Sequence, residues 1–146
     1  MFIAGGVGIN PLMAILSHLT QLPEAGFEVV FVYSFRLENG KDAAEVLFLQ
    51  RLRRIFEEGK VRGRLHLFVT SGGEDGHGNG FKGEGVTIRK RRVGKEDVLE
   101  MLGPLEERRE TVCYICGVPT MTDEFVQVAQ EAEGMDLQRV LFERWW

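Results

Sequence analysis

Apolar residues along the chain fall into short β-branched and aromatic runs, which alternate with longer stretches where they recur every three or four positions. The runs predict strands and the spaced stretches predict amphipathic helices. "MFIA" (1–4) predicts a short first strand, followed by a helix from Pro11 to about residue 19. "FEVVFVYSF" (27–35) reads as a second strand. From about residue 42 to 57, Ala44, Leu47, Phe48, Leu52, Ile55 and Phe56 recur at helical spacing and predict one continuous helix. "RLHLFVT" (64–70) is a third strand, "KEDVLEML" (95–102) a short helix and "TVCYIC" (111–116) a fourth strand. A last helix covers about 121–133, and "RVLFERWW" (139–146) is a fifth strand. Strands separated by helices imply right-handed crossovers. The expected fold is therefore α/β, a doubly wound five-stranded parallel sheet with helices on both faces.

Glycine marks three places in this pattern. "SGGEDGHGNGFKGEG" has too little to bury, and residues 72–85 are expected to be a flexible insertion in a single domain over 1–146. "GGVGINP" follows the first strand and "CGVPTM" the fourth. Ligands of open parallel sheets sit at the carboxyl ends of the strands, where strand order reverses. If these two strands are neighbours there, the loops face each other across one crevice. Gly5, Gly6 and Gly8 allow a sharp turn and close approach to a ligand, and Asn10 can cap a helix that begins at Pro11. The positive end of that helix suits a phosphate. A tight turn with no ligand fits the same residues.

Composition and absent motifs narrow the class. At 146 residues, 44% hydrophobic and 27% charged, the chain suits one domain with its own core. No apolar run approaches about eighteen residues and no basic leader opens the chain, so it reads as intracellular and water-soluble, without a membrane span. A net charge of −4 argues against nucleic acid as a partner. Pro11 stands where the ordinary dinucleotide fingerprint has its third glycine, and no G-K-[ST] is present for a P-loop. Tyr33 and Tyr114 are followed four residues later by Leu37 and Val118, which removes the Tyr-Lys pair of short-chain dehydrogenases. The cysteines of "CYIC" point to opposite faces of a strand and have no second pair to complete a zinc site, so no metal is expected. His18, His66 and His77 read as non-catalytic.

"GGVGINPLMAIL", then "YICGVPTMTDEF" about a hundred residues later, then the ending "FERWW", resembles the pyridine-nucleotide-binding domain of the ferredoxin–NADP reductase family, a Rossmann-like fold. The resemblance spans nearly the whole chain apart from the glycine-rich insertion. It implies that Gly5, Gly6, Gly8, Asn10 and Pro11 line the pyrophosphate and nicotinamide end of the cofactor. It places Cys116, Gly117, Pro119 and Met121 opposite, with the Cys116 thiol near the hydride-donating carbon. Trp146, with Trp145 beside it, is placed near a flavin ring, so Cys116 and Trp146 are the catalytic candidates. The alternatives are a buried filler for Cys116 and a hydrophobic anchor for the tryptophans.

Asn10, Val118 and Thr120 depart from the more usual family residues. Relatives also carry an N-terminal FAD-binding barrel with an R-x-Y-[ST] motif, which this chain lacks. The chain opens inside a strand and is expected to be a fragment. Ser71, followed by glycines and then Glu74 and Asp75, disfavours a 2′-phosphate and points to NADH over NADPH. Ser34 and Arg36 at the end of the second strand are further cofactor candidates, as is Arg92 in the basic run "RKRR". Arg36 as a plain strand-end cation, and the run as a solvated face, are the competing readings. The function implied is hydride transfer from NAD(P)H to FAD and on to an unidentified acceptor, in a mitochondrial setting that rests on the resemblance alone. A nucleotide-binding module without turnover, or a structural interaction domain, remains open for the chain by itself.

Overall fold

The computed structural model describes residues 1–22, 26–38, 42–71 and 85–144. The first half runs β1 (Phe2–Gly5), a 3-10 turn (Gly6–Gly8), α1 (Ile9–Leu19), β2 (Val29–Leu37), α2 (Leu49–Glu57) and β3 (Gly63–Ser71). The second half runs β4 (Val86–Arg89), α3 (Lys95–Met101), α4 (Leu105–Arg108), β5 (Cys113–Gly117), α5 (Pro119–Glu131) and β6 (Val140–Arg144). All strands pair in parallel in the order β4-β3-β2-β1-β5-β6.

Helices cover both faces, as expected of a doubly wound sheet. One core joins α1 and α2 to Phe2, Ala4, Phe31, Tyr33, Leu65 and Leu67. The other joins α3 and α5 to Ile3, Val32, Phe68, Ile115 and Val140. Strand alternation sends neighbouring residues to opposite cores. It also separates the two cysteines. Cys113 lies in the α3/α5 core and Cys116 in the α1/α2 core, with no disulfide between them. Burial pushes the Cys113 thiol up to about 11, well away from reactivity at neutral pH.

The sheet has six strands, which corrects the expected five. β4 follows the glycine-rich stretch and pairs with β3 from Leu65↔Val86 to Phe68↔Arg89. It lies at the sheet edge and offers only Val86 and Ile88 as apolar residues, so its sequence carries almost no strand signal. Charge anchors it instead. Asp97, 5% exposed in the first turn of α3, accepts from Arg89 at 2.5 Å, from Arg91 at 2.6 Å and from the Gly94 amide at 2.8 Å. Both guanidinium groups lie over the Phe68 ring, at 5.5 and 5.3 Å from its centroid. The expected insertion at 72–85 lies outside the described residues except for Gly85.

The continuous helix expected over 42–57 is also corrected. Asp42 and Glu45 form a capping box on a short 3-10 turn, Ala43–Glu45, and the chain then extends at Val46. Phe48 adopts a left-handed φ of 56° before α2 begins at Leu49. Leu49, Leu52, Ile55 and Phe56 are buried, whereas Leu47 is exposed, so the apolar face holds only from α2 onward.

Candidate nucleotide site

The site is set by a change of direction in the sheet. β1 pairs with β2 on one side and β5 on the other, with Ala4 level with Cys116. β1 leads into α1 on one face and β5 into α5 on the other. The two glycine loops therefore meet at the point where strand order reverses, as their sequence positions predict.

They meet in contact. A Cβ on Gly8 would lie 2.2 Å from the Cys116 carbonyl oxygen, 2.4 Å from its carbon and 2.7 Å from the Gly117 nitrogen. A Cβ on Gly5 would lie 2.6 Å from the Met121 sulfur, and one on Gly117 2.5 Å from the Met121 terminal methyl. Gly6 differs from both. It is exposed, holds φ +53°, and a Cβ there would meet nothing within 4 Å. Its backbone is bare toward solvent, which is what close approach of a ligand requires.

Two helices open at this junction. α1 starts at Ile9, so Asn10 lies inside the first turn and does not cap by accepting a bond, a correction to the expected cap. Its amide instead donates to the Val7 carbonyl at 2.6 Å, tying the 3-10 turn to the helix. Pro11 follows within the first turn, where its missing amide leaves no intrahelical bond unmade. Pro119 occupies the first turn of α5. Neither helix carries an acidic residue in its first turn, whereas α3 and α4 carry two each. Both N-termini keep their positive ends unneutralised.

A cleft of about 230 Å³ lies beside the β1 loop, between Gly6 and Val7 on one side and the end of β2 on the other. Arg36 and Leu47 line it together with the carboxylates of Glu38, Asp42 and Glu45. Arg36 is exposed and makes no ion pair among the described residues. Sequence reasoning missed Val7, Glu38, Asp42, Glu45 and Leu47. Val7 stands between two glycines and Glu38 follows the end of β2, signals that become specific only once β1 and β2 are known to be neighbours; Asp42, Glu45 and Leu47 carry no such signal.

The structure gathers Gly5, Gly6, Gly8, Asn10, Pro11, Cys116, Gly117, Pro119 and Met121 at one junction. Ser34, half-buried and level with Gly5, and Arg36 stand one strand away. Ser71 ends β3, level with Leu37. Arg92 is not brought in. It is exposed beyond β4, three strands from β1, or roughly 14 Å at the usual strand spacing. Cys116 is fully buried. β6 carries the chain to Arg144, level with Gly117, and Trp145 and Trp146 lie outside the described residues. His66 is half-buried on β3, where burial and then Arg89 and Arg64 hold its pKa below the ordinary histidine value. His18 is exposed on α1, and His77 lies outside the described residues. Among the described residues no cluster of three His, Cys, Asp or Glu side chains is placed to hold a metal ion, and no helix is long and apolar enough to cross a membrane.

Fold and site together define a doubly wound parallel α/β domain with its two glycine loops at the β1/β5 switch point. The chain belongs to the oxidoreductase NAD-binding domain family, which matches residues 2–127. Among curated proteins it is 30% identical over 148 residues to oxidoreductase NAD-binding domain-containing protein 1 of Danio rerio, covering 100% of this chain and 52% of that protein. The proteins of the same name from Bos taurus and Homo sapiens are 30% and 29% identical, again over 100% of this chain and over 45% of theirs. The chain thus spans about half the length of the curated relatives it matches. No solved structure matches it significantly.

Proposed function

We propose that this chain holds the pyridine dinucleotide of a flavin-dependent oxidoreductase, with NADH as the cofactor. The observation that carries the reading is the contact of the two glycine loops at the switch point, Gly8 on the Cys116 carbonyl and Gly5 and Gly117 under Met121. The bare backbone at Gly6 and the unneutralised N-termini of α1 and α5 suit a pyrophosphate there. Arg36 reaches the same anion from the cleft, and the carboxylates of Glu38, Asp42 and Glu45 around it repel an additional 2′-phosphate. Val7 and Val118, both more than half exposed, flank the junction as apolar rims for a flat conjugated ring. A pyridine dinucleotide held there would supply hydride chemistry for a flavin carried by a further domain. The chain's own residues bind and orient. The full burial of Cys116 favours a second reading, a nucleotide-binding module without turnover in which that thiol only fills space.

Calorimetric titration tests the proposal. NADH is expected to bind saturably and NADPH more weakly. Arg36→Ala is expected to raise the NADH dissociation constant about tenfold, the effect of losing one charge-assisted phosphate contact. Folded protein that binds neither nucleotide would sink the reading.

A further inference from the structure

Met121 stands in the first turn of α5, half-buried, with its stem against the α3/α5 core. Its thioether reaches back over the ends of β1 and β5. The sulfur and terminal methyl occupy the space that side chains on Gly5 and Gly117 would fill, 2.6 and 2.8 Å from a Cβ on the first and 2.5 Å from one on the second. Those two backbones are close as well, since a Cβ on Gly117 would lie 3.2 Å from the Gly5 Cα. A flexible, three-torsion side chain suits so narrow a slot.

We propose that Met121 is a positioning residue rather than a cofactor contact, a spacer seated on Gly5 and Gly117 that fixes how the two glycine loops face the dinucleotide. The inference rests on the nucleotide-binding reading and adds to it. It also explains why two glycines are present at strand ends where neither has a positive φ. They leave volume for a thioether anchored elsewhere.

A double-mutant cycle on the full chain tests it, with NADH affinity by calorimetry and melting temperature measured on all four proteins. Met121→Ala is expected to weaken NADH binding about tenfold, and Gly5→Ala to weaken it comparably by displacing the thioether. The pair together is expected to bind more tightly than either single variant, because the alanine methyl enters the space the sulfur vacates. Met121→Leu, of similar volume, is expected to retain most of the affinity and covers the case in which Met121→Ala does not fold. Additive effects, or a Met121→Ala protein that melts lower but binds NADH like the wild type, would overturn the spacer role alone. Loss of binding in the wild type would overturn the nucleotide reading, and the spacer role with it.

Discussion

Gly8→Ala is expected to destabilise the chain by about 3 kcal/mol and to abolish measurable nucleotide binding, the upper range for forcing an extra carbon into packed structure. The cause is steric and lies in the partner. Gly8 has φ −62° and ψ −8°, a conformation any residue adopts, so no dihedral penalty enters. The new methyl would meet the Cys116 carbonyl oxygen at 2.2 Å and the Gly117 nitrogen at 2.7 Å. Both are backbone atoms at the end of a central strand, and no rotamer change relieves them. Only separation of the loops does, which dismantles the junction where the ligand is proposed to sit.

Gly6→Ala makes the internal comparison. Its methyl meets nothing within 4 Å, but its φ of +53° imposes strain of about 1 kcal/mol, so it is expected to fold nearly as well while covering the bare backbone. Urea unfolding of both variants, with NADH titration of whichever folds, separates contact from access. Equal stability of Gly8→Ala and the wild type would mean that the loops do not touch.

The central architecture was legible in sequence because it is written in residues with few alternatives. β-branched runs separated by amphipathic stretches leave little but a parallel sheet, and glycine directly after the first and fourth predicted strands marks the loops. What was not legible depended on tertiary partners. "VTIR" becomes β4 because β3 supplies an open edge and Asp97 fixes Arg89, neither of which is visible within four residues. The break at Phe48 falls in a stretch with no glycine or proline, and local spacing kept Leu47 on a face it does not share. Asn10 has the composition of a cap, but the 3-10 turn at Gly6–Gly8 starts the helix earlier and leaves its amide a carbonyl to serve. The acidic lining of the cleft escaped notice because Glu38, Asp42 and Glu45 look like ordinary loop carboxylates until Val7 is placed opposite them.

The second large effect concerns the edge of the sheet and has a defined pH signature. Asp97 sits beneath two guanidinium groups and the Gly94 amide, and the Arg91 contact above all holds its carboxyl down at about 2, against an ordinary value of 3.8. The folded state therefore prefers the charged form more strongly than the unfolded state does. The resulting stabilisation is fully present above about pH 5 and is lost as pH falls through the folded value. A shift of this size corresponds to about 2 kcal/mol. Asp97→Asn is expected to lower stability by about that amount at neutral pH, since it removes the carboxylate that Arg89 and Arg91 share and leaves Glu100 as the ion-pair partner of Arg89. Between pH 5 and pH 2 the wild type should lose stability faster than the variant, so that their urea midpoints converge. The same variant should loosen β4 first, because Arg89 and Arg91 flank its end and Phe68 on β3 is the surface they stack against. Amide exchange would then accelerate at Val86–Arg89 while β1 and β5 stay protected. A constant gap between the two proteins down to pH 2 would show that Asp97 stabilises through shape and hydrogen bonding rather than through its charge.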